Sequence, residues 1–335
     1  MLALLSKRPG GPESLVVEDV PEPRPGPGEI LLSVEACGVN YPDLLIIADR
    51  YQYKPERPFA PGSEVSGTVA ALGEGVTGFS VGDRVIGSSI WGGMAEKIVL
   101  PAGRCIGMPE AMPFDEAAAF VMTYGTSYHA LKDRAALKAG ETLLVLGAAG
   151  GVGLAAVELG RAMGARVVAA ASSDEKLALA RARGADAGVL YGAAPSDRDA
   201  AKALSETFKA ACGRDGADVI YDPVGGDYAE PALRAIAWEG RYLVVGFPAG
   251  IPKIPLNLPL LKACQIVGVF WGAFAEREPQ RNAANLYDLF ALYARGAIRP
   301  TISERVPLAR AGEAIAALGA RKALGKIVVT MDRAG

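Results

Sequence analysis

The stretch Leu143-Leu144-Val145-Leu146-Gly147-Ala148-Ala149-Gly150-Gly151-Val152-Gly153 decides the fold of this chain. Its first four residues form a continuous apolar run, which is typical of a strand covered on both faces of a sheet. The glycine-rich run that follows opens a helix predicted over 154–163. Glycine allows a tight turn and a close approach to phosphate, and the N–H groups at a helix N-terminus attract anions. The stretch therefore predicts a Rossmann-type βα unit that binds the pyrophosphate of a dinucleotide.

Strands and helices alternate on the C-terminal side of this unit. A strand is predicted over 166–171 and a helix over 175–183, which ends at Gly184. Later strands are predicted over 218–221, 242–245 and 265–270. Because alternating strands and helices form βαβ units, the pattern predicts a doubly wound parallel sheet of the α/β class.

The first 120 residues or so have a different character. They are rich in glycine and proline, and turn residues separate short β-type runs at 29–36, 67–72 and 83–87. This pattern predicts a partly closed β-fold. The tail combines a helical stretch at 308–318 with a β-run at 326–330, and its composition allows a return to the N-terminal domain.

Composition narrows the possible functions. The 335 residues carry a formal net charge of −2, and 21% of them are charged, with no long run of one sign. A broad nucleic-acid footprint or a patch for anionic membranes is therefore not expected. No run of about 18 apolar residues occurs, so we expect a soluble, cytoplasmic protein.

The cysteines and the single histidine do not suggest a metal site. Cys37, Cys105, Cys212 and Cys264 are scattered singly, and His129 is the only histidine. A structural zinc needs four nitrogen or sulfur ligands at short paired spacings. We therefore predict no metal, and interpret the cysteines as buried free thiols in a reducing compartment.

The residues after the second predicted strand bear on the choice of dinucleotide. NAD sites place an acidic residue there, about 20 residues after the glycines, to bind the ribose 2′-hydroxyl. This chain has Ser172 and Ser173 at that point, with Lys176 one helical turn later. Hydroxyl groups and a lysine suit a 2′-phosphate, whereas Asp174 and Glu175 suit the first turn of a helix. The sequence therefore predicts NADPH as the cofactor.

Several motifs in order resemble the zinc-free quinone oxidoreductase branch of the medium-chain dehydrogenase/reductase superfamily, the group that includes zeta-crystallin. The resemblance covers nearly the whole chain. Its motifs are Ala36-Cys37-Gly38-Val39-Asn40-Tyr41-Pro42-Asp43, Pro58-Phe59-Ala60-Pro61-Gly62-Ser63-Glu64, Gly82-Asp83-Arg84-Val85, Gly125-Thr126-Ser127-Tyr128-His129, the glycine-rich run, Asp222-Pro223-Val224-Gly225-Gly226 and Gly325-Lys326-Ile327-Val328.

The resemblance implies a GroES-like catalytic domain formed by residues 1–123 and 297–335. It also implies a Rossmann NADPH-binding domain over 124–296, with the active site in the cleft between the two domains. Zinc-dependent relatives carry a histidine where this chain has Ser63, and they also have a cysteine-rich lobe that is absent here. The resemblance is therefore to the zinc-free branch, and Cys37 is interpreted as a packed thiol.

The family motifs also imply roles for individual residues. Asn40 and Tyr51 are expected at the nicotinamide and substrate end as catalytic residues. The residues expected to bind the cofactor are Thr126, His129, Gly150, Gly151, Val152, Gly153, Ser172, Lys176, Tyr191, Gly246, Phe247, Phe270, Trp271, Gly272 and Arg321. Two departures from the family pattern are Glu158, where glutamine is frequent, and Arg50, where glycine is usual.

Several of these residues have simpler explanations. His129 lies in a helical stretch and is interpreted more readily as a packing residue, and Asn40 fits the cap of a turn. Lys176 would be a solvated helix lysine in most contexts. Phe270 and Trp271 fit a core or a subunit contact.

The expected activity is reduction of a quinone by NADPH without zinc. Two alternatives stay open at this point, a 2-alkenal or enone double-bond reductase and a non-catalytic NADPH-binding protein. The family implies a homodimer, and the apolar run at 265–270 fits an edge strand that could pair with its copy. The resemblance implies a small-molecule partner, with no nucleic acid and no membrane.

Overall fold

In a computed structural model, which describes residues 1–320 and 323–331, the chain forms two units. One consists of Met1–Met122 with Pro300–Gly335, and the other of Thr123–Arg299. We call them unit 1 and unit 2. No helix among the described residues combines the length and the apolar character needed to cross a membrane.

The strands, numbered along the chain, are β1 (Leu2–Leu5), β2 (Val16–Asp19), β3 (Glu29–Gly38), β4 (Glu64–Leu72), β5 (Arg84–Ser88), β6 (Lys97–Pro101), β7 (Cys105–Gly107), β8 (Thr142–Val145), β9 (Arg166–Ala171), β10 (Ala187–Leu190), β11 (Ala217–Asp222), β12 (Ile236–Val244), β13 (Gln265–Gly268), β14 (Ile302–Pro307) and β15 (Lys326–Thr330).

The helices are α1 (Tyr41–Ile47), α2 (Phe114–Ala117), α3 (Thr126–Tyr128), α4 (Gly151–Ala162), α5 (Asp174–Ala182), α6 (Arg198–Cys212), α7 (Ala229–Arg234), α8 (Asn257–Lys262), α9 (Trp271–Arg277), α10 (Pro279–Ala294) and α11 (Ala311–Gly319). Two π-helical segments, Val121–Gly125 and His129–Arg134, flank α3. Short 3₁₀ turns occur at Pro12–Ser14, Ala102–Arg104, Gly226–Tyr228 and Leu308–Arg310.

Unit 1 is β-rich. Its main sheet has the order β14-β15-β3-β4-β5-β7, and β6 pairs with β3 as well. The β14–β15 pair is parallel, and the other pairs in this sheet are antiparallel. Because Val328 on β15 pairs with Gly38 on β3, the C-terminal segment completes the sheet that the N-terminal segment begins.

Unit 2 contains a six-stranded sheet in the order β10-β9-β8-β11-β12-β13. All five strand pairs are parallel. The central strands β8 and β11 lie side by side, with Leu144 opposite Ile220. The chain order reverses between these two strands, so a crevice for a ligand forms at their carboxyl ends. The predicted fold class, a Rossmann sheet with a separate GroES-like β-rich domain, is confirmed.

Each unit has its own apolar core. In unit 1 the fully buried side chains include Ile30, Leu32 and Ile47. In unit 2 they include Leu144, Phe208 and Ile220. Nearly every residue of β8 and β11 is buried, as expected for central strands of a parallel sheet, because helices cover both faces of such a sheet.

The strand predicted over 265–270 ends at Gly268, because α9 begins at Trp271. The segment between the β-rich part and β8 is not one continuous helix: α2 ends at Ala117, and the π-helical segments on either side of α3 follow it. π-Helical turns are rare and occur frequently at functional sites.

Candidate functional site

The glycine-rich run forms a tight turn between β8 and α4. Gly147 adopts a φ of +57°, and the Gly150 N–H donates to the Gly147 carbonyl at 3.0 Å. A Cβ on Gly153 would lie 2.2 Å from the Gly147 oxygen, so this position requires glycine. Because α4 begins at Gly151, the first N–H groups of the helix lack partners within the helix and face this turn. The geometry fits a pyrophosphate.

The loop after β11 borders the same turn. The buried Asp222 carboxylate accepts hydrogen bonds from the Val224 N–H at 2.8 Å and the Gly225 N–H at 2.9 Å. It also accepts one from the Tyr242 hydroxyl. Val224 lies against Gly147, where a Cβ would come within 2.9 Å of its side chain. This loop therefore forms the second wall of the crevice, although the sequence pattern assigns it no site residue.

Burial raises the pKa of the Asp222 carboxyl, and the hydrogen bonds from Tyr242 and from the two backbone N–H groups act in the opposite direction. Burial also raises the pKa of the Tyr242 hydroxyl well above its usual value. The Tyr242 hydroxyl therefore stays protonated and donates to the Asp222 carboxylate, and this buried hydrogen bond helps to hold the loop in one conformation.

The residues just after β9, the second strand of the parallel sheet along the chain, are the polar residues predicted to select the cofactor. Ser172 follows β9 directly, and the Lys176 Nζ donates to its Oγ at 3.0 Å. Ser173 caps α5, because its Oγ accepts from the Lys176 N–H at 3.3 Å. Asp174 and Glu175 occupy the first turn of α5. A hydroxyl and an ammonium group thus lie together at the surface beyond β9.

The segment 121–134 is attached to α4 by two side chains. The Ser127 Oγ donates to the Val152 carbonyl at 2.9 Å, in the first turn of α4. The Tyr124 hydroxyl donates to the Glu158 carboxylate at 2.5 Å. Thr126, predicted to contact the cofactor, is half-buried between these two attachments. The helix that begins at the glycine turn therefore sets the position of Thr126.

Glu158, the departure from the family pattern, lies at the centre of a buried cluster. Its Oε2 accepts from the Tyr124 hydroxyl and from the Arg299 N–H at 3.1 Å. Its Oε1 accepts from the Arg183 guanidinium at 3.1 Å. Burial raises the pKa of Glu158, and these hydrogen bonds oppose the rise. A carboxylate at this position therefore has a structural explanation.

His129 lies in a buried polar cluster. Its Nδ1 is 2.8 Å from an Asp133 carboxylate oxygen, and its ring stacks on Phe274 with 3.9 Å between centroids. Asn285 donates to the same Asp133 oxygen at 2.8 Å. Although burial acts to raise the pKa of Asp133, the hydrogen bonds from His129 and Asn285 hold it below its usual value. These contacts favour the packing interpretation of His129, and its cofactor contact stays a prediction.

The other predicted cofactor residues of unit 2 lie in three places. Tyr191 follows β10 and packs in the core against Tyr228, with ring centroids 5.0 Å apart. Gly246 and Phe247 follow β12 beside the Asp222 loop. Three residues lie at the start of α9: exposed Phe270, buried Trp271, whose indole packs on Gly125 and donates to Asn282 at 3.0 Å, and Gly272.

In unit 1, the two predicted catalytic residues flank α1. Asn40 is the residue before the helix, and Tyr51 lies four residues beyond its end. Tyr51 is half-buried against Tyr53, with ring centroids 5.9 Å apart, and burial raises the pKa of its hydroxyl. Tyr51 is therefore protonated at neutral pH and is available as a donor.

Asn40 belongs to a buried polar cluster that sequence reasoning missed. The Lys326 Nζ donates to the Asn40 Oδ1 at 2.6 Å, to the Val39 carbonyl at 3.0 Å and to the Glu64 Oε2 at 3.3 Å. Lys326 is only 5% exposed and Glu64 only 1%. The only hint in the sequence was that both residues lie in family motifs, since they are 262 positions apart.

Asp43 lies beside this cluster and is fully buried. Its carboxylate accepts from the Asn40 N–H at 2.7 Å and from the Gly62 N–H at 3.0 Å. Burial raises its pKa to about 6, against these two hydrogen bonds and the nearby Lys326 charge.

The donor set of this region does not match a zinc centre. Burial raises the pKa of the Cys37 thiol well above its usual value, whereas a metal ligand must be a thiolate. Ser63 is buried, and its Oγ has no hydrogen-bond partner among the residues that the structure describes. Within those same residues, no group of three or more His, Cys, Asp and Glu side chains is arranged to hold a metal.

The four cysteines are free thiols. Cys37 and Cys212 are buried, as expected, whereas Cys105 and Cys264 are half-buried. Arg321, predicted to bind the cofactor, lies outside the described residues. The assignment of the individual site residues stays a prediction.

Known proteins resemble this chain over nearly all of its length. A model of the zinc-binding dehydrogenase family matches residues 151–288, and one of the alcohol dehydrogenase GroES-like domain matches residues 26–110. The quinone oxidoreductase-like protein 2 homolog of Nematostella vectensis is 39% identical over 94% of this chain and 85% of its own length.

Solved structures give the same result. A mycobacterial protein solved in complex with NADPH has a TM-score of 0.90 at 33% identity, covering 98% of this chain and 99% of its own. The quinone oxidoreductase of Thermus thermophilus, also solved with NADPH, has a TM-score of 0.82 at 36% identity, covering 99% and 100%. With two units of the matching folds and relatives of this identity and coverage, the chain belongs to the quinone oxidoreductase family of medium-chain dehydrogenases/reductases.

Proposed function

We propose that this protein is an NADPH-dependent quinone oxidoreductase that works without zinc. The observation that carries the proposal is the glycine turn at β8 together with the Ser172–Lys176 contact beyond β9. In the reaction, NADPH supplies a hydride and the solvent or a protein group supplies a proton. One quinone then becomes one hydroquinone, and NADPH becomes NADP⁺.

The residues of unit 2 fit such a cofactor. A Cβ on Gly147 would lie 2.9 Å from the Val224 side chain, and one on Gly153 would lie 2.2 Å from the Gly147 carbonyl oxygen, so the tight turn needs glycine at both positions. Ser172 and Lys176 offer a hydroxyl and an ammonium to a phosphate, and such charge-assisted hydrogen bonds are the strong ones. The NADPH complexes of the two structural relatives support the same cofactor here.

A quinone is the acceptor that demands least of the protein. The names of the relatives support this acceptor. Completion of a hydroquinone needs one proton at oxygen, which water can supply, whereas reduction of an alkene needs protonation at carbon. We propose Asn40 and Tyr51 for the acceptor end, with the Tyr51 hydroxyl protonated at neutral pH.

The test is the oxidation of NADPH, followed at its nicotinamide absorbance, with a panel of ortho-quinones and enones. We expect turnover with quinones and much slower turnover with NADH. Equal rates with both cofactors would contradict the NADPH assignment. Turnover of enones alone would favour the double-bond reductase, and binding of NADPH without any turnover would favour a non-catalytic protein.

A matched pair of lysine variants tests the cofactor assignment directly. Lys176→Ala removes the ammonium beside Ser172, and we expect the KM for NADPH to rise about 10- to 100-fold, the range for a lost charge-assisted hydrogen bond. The KM for NADH is expected to change little. Lys202→Ala, at an exposed position of α6, is the control and should change neither constant.

We also propose a cytoplasmic homodimer whose functional domains are residues 1–123 with 297–335, and residues 124–296. The β13 edge supports the dimer, because it ends the sheet and carries a half-exposed Ile266. Exposed Leu256, Leu260, Leu261 and Phe270 lie near it along the chain. Such an edge is normally covered.

Light scattering coupled to size-exclusion chromatography tests the dimer. The wild type is expected at twice the chain mass of 34.7 kDa. Ile266→Lys places a charge on the edge strand and is expected to yield monomers. Val81→Lys, at another exposed apolar position, serves as the control. A monomeric wild type would refute the proposal.

A further inference from the structure

The buried polar cluster of unit 1 consists of Lys326, Glu64 and Asn40. Lys326 is the first residue of β15, Glu64 the first residue of β4, and Asn40 the residue before α1. None of the three is more than 7% exposed. They join three distant parts of the chain through side-chain hydrogen bonds at the point where the sheet meets α1.

All three hydrogens of the Lys326 ammonium have acceptors. These acceptors are the Val39 carbonyl, the Asn40 Oδ1 and the Glu64 carboxylate. The Glu64 Oε2 accepts from the Asn40 Nδ2 as well, at 3.2 Å, and its Oε1 accepts from the Met122 N–H at 2.8 Å. One positive and one negative charge are thus buried together with their hydrogen bonds complete. Such a pair tolerates little change in geometry.

These partners determine which way the Asn40 amide points. An ammonium can only donate and a carboxylate can only accept, so the amide oxygen must face Lys326 and the amide nitrogen must face Glu64. The second amide hydrogen goes to the Gly38 carbonyl at 3.2 Å. Both N–H donors of the side chain are therefore committed within the protein, and only one oxygen lone pair is left.

We infer that Lys326 and Glu64 are positioning residues of the active site, which fix the Asn40 amide and the connection between β3 and α1 for quinone reduction. The inference rests on the proposed function, which places Asn40 at the acceptor end. It assigns Asn40 the part of a hydrogen-bond acceptor, because both of its donors are taken. Stabilisation of the acceptor oxygen by donation is then left to Tyr51, whose hydroxyl bonds to none of the described residues.

Backbone hydrogen bonds connect the cluster to the two positions at which the chain leaves and re-enters unit 1. The Met122 N–H bonds to Glu64, and Met122 is the last residue before the chain leaves unit 1. The Lys326 N–H donates to the Thr301 carbonyl at 2.8 Å, just after the chain returns. The cluster therefore holds the loop before α1 to both points where the chain enters or leaves this unit.

The main experiment uses an uncharged version of the pair, Lys326→Met with Glu64→Gln. Replacing only one of the two residues would leave the other charge buried without its partner. We expect kcat with an ortho-quinone to fall about 10- to 100-fold, the effect of misplacing a group by about 1 Å. The KM for NADPH is expected to stay within about twofold, since the glycine turn and Ser172 are untouched. A kcat near that of the wild type in a folded variant would overturn the inference.

A double-mutant cycle tests whether Lys326 acts through Asn40. If it does, adding Asn40→Ala to the uncharged pair lowers kcat no further than Asn40→Ala alone. Losses that multiply would show independent roles and would overturn the inference.

A polarity exchange provides the rescue. Asn40→Asp alone sets two carboxylates side by side and is expected to lower kcat strongly. Combining it with Glu64→Gln restores one negative charge and an N–H donor between positions 40 and 64, and should recover at least about tenfold. Failure of the combination to recover any activity, in a folded protein, would contradict the inference.

The control pair is Arg241 and Glu141 in unit 2, joined at 2.7 Å with side chains 15% and 18% exposed. Glu141 precedes β8, at the end of the strand opposite to the glycine turn. Arg241→Met with Glu141→Gln should leave kcat unchanged. A loss of kcat equal to that of the Lys326 and Glu64 pair would mean that any lost ion pair has this effect, and would overturn the inference.

A readout independent of turnover separates this inference from the proposed function. With ¹⁵N-labelled asparagine, both amide protons of Asn40 should exchange slowly in the wild type and rapidly in the uncharged pair variant. If the wild type reduces no acceptor, the proposed function fails, while slow exchange would still support the cluster geometry. Fast exchange in the wild type would overturn the inference whatever the activity.

Discussion

Two buried carboxylates, one in each unit, hold the residues at which the chain passes between the units. In unit 1, Glu64 accepts from the Met122 N–H and pairs with Lys326. In unit 2, Glu158 accepts from the Arg299 N–H and pairs with Arg183. The two carboxylates have similar burial, with side chains 1% and 5% exposed.

The cations of the two pairs differ in exposure, and this difference determines how much each charge depends on its partner. The Lys326 side chain is 6% exposed, whereas that of Arg183 is 29% exposed. A fully buried charge has lost its hydration and is stable only while its partner is present. A partly exposed charge keeps some water and loses less when the pair is broken. We therefore expect unit 1 to tolerate the loss of one partner less well than unit 2.

The largest expected effect follows from Lys326→Met alone. It leaves the Glu64 carboxylate buried without its cation, and the free energy of unfolding should fall by about 3–5 kcal/mol. Adding Glu64→Gln should recover most of this loss. Urea denaturation followed by circular dichroism measures both variants. Equal losses in the single and double variants would show that the stranded charge is not the cause.

Asp43 adds a dependence on pH to the unit 1 cluster. Its pKa is raised from 3.8 to about 6 by burial, so the folded state keeps a proton that the unfolded state loses. The unfolding free energy that this group contributes therefore falls as pH rises from about 4 to about 6, by up to about 3 kcal/mol, and is constant above.

Asp43→Asn isolates this contribution, because asparagine does not titrate. The difference in unfolding free energy between wild type and Asp43→Asn should shift against the wild type across this pH range. A difference that is independent of pH would refute the raised pKa. Other carboxyl groups titrate in both proteins and cancel in the comparison.

In unit 2, Arg183→Met should have a smaller effect. Glu158 retains hydrogen bonds from the Tyr124 hydroxyl and the Arg299 N–H after the guanidinium is removed. We expect a loss of about 1–2 kcal/mol in the free energy of unfolding, measured in the same urea titration. A loss as large as that of Lys326→Met would remove the distinction between the two pairs.

The smallest effect is expected at the surface. Arg310 and Glu313 form an ion pair at 2.7 Å, but their side chains are 54% and 65% exposed. Exposed pairs contribute little, because water and salt screen them. Arg310→Ala should leave the melting temperature unchanged within error in a calorimetric scan. A clear decrease would show that exposure is a poor guide to the strength of ion pairs in this protein.

The local parts of the fold could be predicted from the sequence. The apolar run of β8, the glycine turn and α4 are consecutive, and each is specified by its own residues. Ser172 precedes the N-cap of α5 and Lys176 lies in the first turn of the helix, so their contact is local along the chain. Asp174 and Glu175 likewise occupy the helix N-terminus as predicted.

Contacts between distant segments could not be predicted in the same way. Lys326 and Asn40 are 286 positions apart, and neither residue type nor local pattern indicates that they meet. Glu158 drew notice only as a departure from the family pattern, and its partners Tyr124 and Arg299 come from other segments. Asp222, the last residue of β11, was not among the predicted site residues, because its role depends on Tyr242 of the neighbouring strand.

The sequence by itself determined the order of elements, the glycine turn and the hydroxyl and ammonium groups that suit a 2′-phosphate. These features are local, because the spacing of apolar residues specifies strands and helices and the conformational freedom of glycine specifies the turn. Only the tertiary structure decided which charges are buried together and which way the Asn40 amide points. A buried charge is stable only beside a partner, and that partner is brought to it by the pairing of β15 with β3.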